Sequence, residues 1–113
     1  MQNDPNLFFT GGWDDTVRLW DIRIKDTYVR KFSGPSISAD SLDLKGNILL
    51  SGNYSSKDVL QLWDFTKGEL IETVNTGEEN PGSSYCFAAA YALESKYNMY
   101  GIALSGVNKV KLF

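Results

Sequence analysis

At 113 residues, 42% of them hydrophobic and 22% charged, the chain holds enough apolar material for one ordinary small domain. Its net charge of −3 argues against a nucleic-acid footprint and against an anionic membrane surface. With no histidine and one cysteine, Ser-His-Asp and Cys-His catalytic sets, a His/Cys zinc cluster and an internal disulfide are all excluded.

In chain order, residues 1–6 are polar and read as a loop without the basic end and apolar stretch of a secretory signal. Residues 7–11 form a short apolar strand ending in Thr10-Gly11, and Asp14-Asp15 make a tight turn. Residues 16–22 alternate apolar with polar through Val17 and Leu19 to Trp20-Asp21, and residues 28–32 read as a further, basic strand. Arg18, Arg23, Lys25, Arg30 and Lys31 make this region locally basic, which suits an outer strand whose charges discourage edge pairing.

After the turn Ser33-Gly34-Pro35, strands are expected at 37–44, 48–52, 59–64 and 69–74, separated by turns at Lys45-Gly46-Asn47 and Thr66-Lys67-Gly68 and a polar loop at 53–58. Residues 76–84 carry no strand pattern and read as a surface loop. The apolar run 85–93 has enough alanine for a short helix, but its position in the repeat assigns it to a strand. Strands at 99–106 and 108–113 follow.

A repeat emerges. Thr10-Gly11, Ser51-Gly52 and Ser105-Gly106 each close an apolar strand, and each is followed by an alternating strand ending in Trp20, Trp63 or Phe113. Trp20 and Trp63 stand 43 residues apart, within the roughly 40–45-residue period of one propeller blade. With the Trp20-Asp21 and Trp63-Asp64 pairs, the chain resembles the WD40-repeat family.

The resemblance implies an all-β, WD40-type β-propeller arrangement of about ten antiparallel strands, in one complete and two partial blades. It divides the chain into a blade lacking its first strand (1–34), a complete blade (35–76) and a blade lacking its last strand (77–113). Propellers close with typically 4–8 blades, so a longer propeller or a larger complex is expected, with neighbours covering the apolar faces of Phe8, Leu104 and Leu112.

The resemblance also implies a locking network of Thr10, Asp14 and Trp20 in the first blade, Ser51, Asp58 and Trp63 in the second, and Ser105 in the third. The network is degraded. The family's histidine is missing throughout, Asp58 is displaced by a loop two residues longer, and Phe113 replaces the third tryptophan. Asn108 is at best a substitute for the third aspartate. The indole N–H of Trp63 is expected to bond near Ser51.

No catalytic, cofactor-binding or metal-ligating set is legible. Asp14-Asp15 reads as turn chemistry and Glu78-Glu79 as a solvated loop, rather than as a cation site or an acid–base pair. Trp13 lies outside the alternation. It is either exposed on the propeller face or packed over a neighbouring blade, and Tyr54 occupies the corresponding loop of the second blade. Trp13 and Tyr54 are the candidate interface.

The reading of function is a non-catalytic protein-interaction scaffold, or alternatively a structural segment completed by neighbouring chains. The partners are other proteins, and neither nucleic acid, membrane nor cofactor is expected. The location is intracellular and cytoplasmic. A weaker resemblance of residues 32–43, 51–54 and 60–65 to cytoskeletal and ciliary WD40 proteins points toward that setting. If neighbours complete the outer blades, amides of 48–52 exchange much more slowly than those of 7–11 and 110–113 in the isolated chain. Equal, strong protection of all three segments in a monomer would contradict that organisation.

Overall fold

A computed structural model describes residues 4–55, 57–76, 85–92, 99–105 and 109–113. The strands among them are β1 (Leu7–Gly11), β2 (Thr16–Asp21), β3 (Arg30–Ser33), β4 (Leu42–Lys45), β5 (Ile48–Gly52), β6 (Leu60–Asp64), β7 (Glu69–Thr73), β8 (Tyr85–Tyr91), β9 (Tyr100–Ser105) and β10 (Lys109–Leu112). They form three antiparallel sheets, β1-β2-β3, β4-β5-β6-β7 and β8-β9-β10. The architecture is all-β, with WD40-type blades in sequence. Gly106, Asn108, Glu78-Glu79 and Leu93 lie outside the described residues.

Alternation of side chains explains the packing. A strand places successive residues on opposite faces, and the central sheet has a neighbour on each side. Leu49 enters the core shared with the first sheet, beside Val17, Leu19, Phe32, Trp63 and Phe65. Leu50, the next residue, enters the core shared with the third sheet, beside Leu60, Cys86, Ala89, Ile102 and Leu104. The run Ile48-Leu49-Leu50 is therefore continuous rather than alternating, as a strand buried on both faces requires. Aromatic contacts dominate the first core: Phe32 meets Trp63 edge-on at 6.2 Å and Phe9 meets Phe65 edge-on at 5.5 Å.

The seam between sheets repeats. The carbonyl of Gly12, just after β1, accepts from the N–H of Ile37 at 2.9 Å. The carbonyl of Asn53, just after β5, accepts from the N–H of Cys86 at 3.1 Å. The preceding glycine makes room in each case. A Cβ on Gly11 would stand 2.8 Å from the side chain of Ile37, and one on Gly52 would collide with the sulfur of Cys86. The recurring Ser/Thr-Gly ending is thus the place where the next blade's entering chain crosses the last.

Three expectations shift. The strand expected at 37–44 is confined to Leu42–Lys45, because residues ahead of it bond away from the ladder: Ile37 across the seam to Gly12, and Ser36 through its carbonyl to the N–H of Tyr54 beyond the end of β5. The strand expected at 28–32 begins at Arg30, although Val29 still donates to Leu19 at 2.8 Å. Leu104 needs no outside neighbour. It shares a face of β9 with Ile102 and is buried against the central sheet, whereas Phe8 and Leu112 remain exposed.

Burial pushes the Cys86 thiol up to about 11, so it behaves as a small hydrophobe in the seam. Gly52→Ala should destabilise the chain by on the order of 1–3 kcal/mol through overpacking. Gly12→Ala, whose added carbon would meet only Asp14 at 3.8 Å, should stay within about 0.5 kcal/mol of the parent. Urea titration of both variants separates the two cases, and equal midpoints would show that the seam is not tight.

Candidate interaction surface

The two tryptophans that end β2 and β6 make the same bond. The indole N–H of Trp20 donates to Thr10 Oγ1 at 2.7 Å, and that of Trp63 donates to Ser51 Oγ at 2.9 Å. Each bond ties the third strand of a WD40-type blade to the second. Trp63 is buried, with Gly34 against its ring edge. Trp20 is only half-buried and stacks on exposed Phe8.

The acidic members sit elsewhere. Asp14 accepts from the Thr16 hydroxyl at 2.9 Å and from Arg18 at 2.9 Å, which fixes the turn but leaves the Thr10–Trp20 pair to itself. Asp58 contributes its main-chain carbonyl, not its carboxylate. Its left-handed backbone (φ 54°) and longer loop turn the side chain outward. Of the expected Asp58–Ser51–Trp63 grouping, the Trp63–Ser51 bond forms and the Asp58 carboxylate stands apart from it. The Asn53 amide donates to the Asp58 carbonyl at 2.6 Å and to Gln61 Oε1 at 2.8 Å, and Gln61 passes the chain on to Thr73. Ser105 lies opposite Tyr85 in the β8–β9 ladder.

Trp13 and Tyr54, far apart in sequence, are brought together. Their rings stack with centroids 6.2 Å apart and planes 19° from parallel. Tyr54 continues to Tyr85 at 4.7 Å and to Phe87 at 5.3 Å. The four rings run across all three sheets along the rim where β1–β2, β3–β4 and β5–β6 connect. Trp13 is 73% exposed, Phe87 41% and Tyr54 36%.

Local structure places each ring. Trp13 rides on the turn that Asp14 caps. Tyr54 is held by its N–H donating to the Ser36 carbonyl at 2.7 Å. Phe87 is the extra residue of a bulge between the Cys86–Leu104 and Ala88–Ala103 pairs, which aims it outward instead of into the ladder. The same rim carries the exposed acids Asp15, Asp40 and Asp58, with Lys57 among them.

Sequence reasoning missed Tyr85 and Phe87. Tyr85 was within reach, since it alternates with Cys86, but a bulge leaves no mark in composition. It also missed buried Asn53 and Gln61. Gln61 lies between Leu60 and Leu62, where a sheet covered on only one face would put it in solvent.

The rest of the polar inventory is structural. The aspartates of both Trp-Asp pairs cap the chain that follows. Asp64 accepts from the main-chain N–H groups of Thr66 and Lys67, each at 2.9 Å, and these bonds hold its carboxyl below the usual range. Asp21 accepts twice from the Arg23 guanidinium, at 2.8 and 2.6 Å, and from the Arg23 N–H. Among the locally basic residues, Arg18 and Arg23 are thus paired with acids, and Arg30 donates to the Phe65 carbonyl at 3.0 Å. Among the described residues no three acidic, cysteine or histidine side chains converge to hold a metal, and no helix is long and apolar enough to cross a membrane.

The Arg23 bonds lower the Asp21 carboxyl from 3.8 to about 2. A carboxyl depressed by folding stabilises the native state above its unfolded value, and that contribution is lost as pH falls toward the folded value. Thermal midpoints should therefore fall between about pH 4 and pH 2. Asp21→Asn should flatten that limb in part, leaving the slope from Asp14 and Asp64, which are also lowered. An unchanged acid limb would rule out the Asp21–Arg23 contribution.

No protein-family model matches the chain. It is 28% identical over 91 residues to a guanine nucleotide-binding protein subunit beta of Arabidopsis thaliana, covering 78% of this chain and 24% of that one. It is 31% identical over 70 residues to the subunit of the same name from Zea mays, covering 62% of this chain and 18% of that one. The chain thus spans about a quarter or less of the curated relatives it matches. Among solved structures, Raptor of Chaetomium thermophilum superposes with a TM-score of 0.66 at 18% identity, over 99% of this chain and 10% of that one. The computationally designed protein Ika8 superposes with a TM-score of 0.66 at 21% identity, over 97% and 30%. Strand order, repeated Trp–Ser/Thr bonds and these likenesses agree: the chain has the fold of WD40-type β-propeller blades.

Proposed function

We propose that the chain acts as a non-catalytic scaffold that binds other proteins through the aromatic rim formed by Trp13, Tyr54, Tyr85 and Phe87. The observation that carries this reading is the cluster itself: rings from three sheets meet at one edge, and the largest of them is nearly three-quarters exposed. Rigid aromatic groups on a fixed scaffold are effective anchors, because they bury much area for little loss of side-chain freedom. The scaffold reading is consistent with the WD40-type fold. A reducing, cytoplasmic setting fits a chain whose one cysteine is buried and free.

A second reading is favoured by a separate observation. Val110 and Leu112 on one outer sheet and Phe8 on the other are exposed apolar groups on sheet faces. In this reading neighbouring blades, from the same polypeptide or another chain, cover those faces, and the two readings are compatible.

A photo-crosslinking side chain tests the first. Placed at position 13, it should form protein adducts in cells or lysate. Placed at Lys67, exposed in the β6–β7 turn at the opposite rim, it should form far fewer. Equal labelling from both positions would remove the aromatic rim as the recognition surface.

A further inference from the structure

We infer that the rim takes an extended peptide segment bearing arginine or lysine; this rests on the reading of the rim as the recognition surface. The first argument is charge. Among the described residues of this rim, Asp14 is matched by Arg18 at 2.9 Å. Among those described residues Asp15, Asp40 and Asp58 are exposed and enter no ion pair, and exposed Lys57 neighbours Asp58 in sequence. The local excess is negative, and Asp15 and Asp58 lie in the same loops as Trp13 and Tyr54.

The second argument is what the rings can do. An exposed indole attracts a guanidinium or ammonium over its face within about 6 Å, and the attraction strengthens as water is displaced. The apolar stem of the same side chain lies against the neighbouring ring. Arginine fits best, because its planar, weakly hydrated head stacks on aromatic faces and still reaches a carboxylate.

The third argument is spacing. The ring steps of 6.2 Å from Trp13 to Tyr54 and 4.7 Å from Tyr54 to Tyr85 together span at most about 11 Å, on the scale of one turn of an extended, three-residue-per-turn peptide, about 9 Å. A ligand in that form pays little ordering entropy and brings every third side chain back to the face that meets the row of rings.

The test uses fluorescein-labelled ten-residue peptides of alternating proline and arginine, proline and serine, or proline and glutamate, with anisotropy read at two salt concentrations. The Pro-Arg peptide should bind most tightly and weaken with salt. Trp13→Ala should weaken it at least five-fold, and so should the double variant Asp15→Asn, Asp58→Asn. Binding of Pro-Ser as tight as Pro-Arg, lost in Trp13→Ala, would overturn the cationic ligand while leaving the rim as a recognition surface. Binding of Pro-Arg that neither variant weakens would be attraction to the net negative chain alone, and would overturn the inference. No binding by any of the three would overturn it too; the crosslinking contrast between positions 13 and 67 would then decide whether the rim itself still stands.

Discussion

The constraint on which everything else depends is that a blade with two apolar faces cannot stand by itself. Burial of apolar surface stabilises at roughly 25 cal/mol per Å², and the central sheet collects it on both sides. Leu49 and Leu50, neighbours in sequence, belong to different cores. Spacing between sheets must therefore be close and repeatable. That explains why glycine ends the second strand at both described seams, and why in both the carbonyl just beyond it receives an N–H from the next blade. Hydrophobic packing sets the stacking; the glycine and the hydrogen bond set its distance.

The aromatic rim follows from that stacking. Once successive blades are locked at their upper seam, loops from different repeats are forced side by side. Trp13 and Tyr54 are equivalent in repeat position, one loop apart, and they meet because their blades do. The polar groups beneath differ between blades. The first blade spends its turn aspartate on Thr16 and Arg18, while the second builds the buried chain Asn53–Gln61–Thr73. A pair of buried oxygens, Ser41 Oγ and Asn53 Oδ1, has no protein partner near the second seam, the kind of place an ordered water occupies.

Much of the fold was legible because propeller blades are local: hairpins written consecutively, each with the same strand–turn–strand grammar. The second strands at Leu7–Gly11 and Ile48–Gly52 could be read to the residue. Strand ends near the seams could not, since Ile37 and Asp40 bond through their backbone to neighbouring repeats, and no single-repeat pattern encodes that. The rim was half legible. Trp13 and Tyr54 stood out as aromatics in polar turns, whereas Phe87 owes its exposure to a bulge and Tyr85 looked like one more residue of an apolar strand. Asp58 was legible as displaced, because its loop is two residues longer than the first blade's, but the bond its carbonyl accepts from the Asn53 side chain was not.

Cys86 has a consequence of its own. It is fully buried in the contact between the second and third sheets, its S–H directed at the Ala88 carbonyl at 3.2 Å, and its thiolate is disfavoured. A thiol reagent reaches it only when those two sheets part. Its rate of modification is then a clock for blade separation, resolved from events at the first seam, where the equivalent place is held by Ile37. The molecule thus carries, at one seam and not the other, a native reporter of how its repeats come apart.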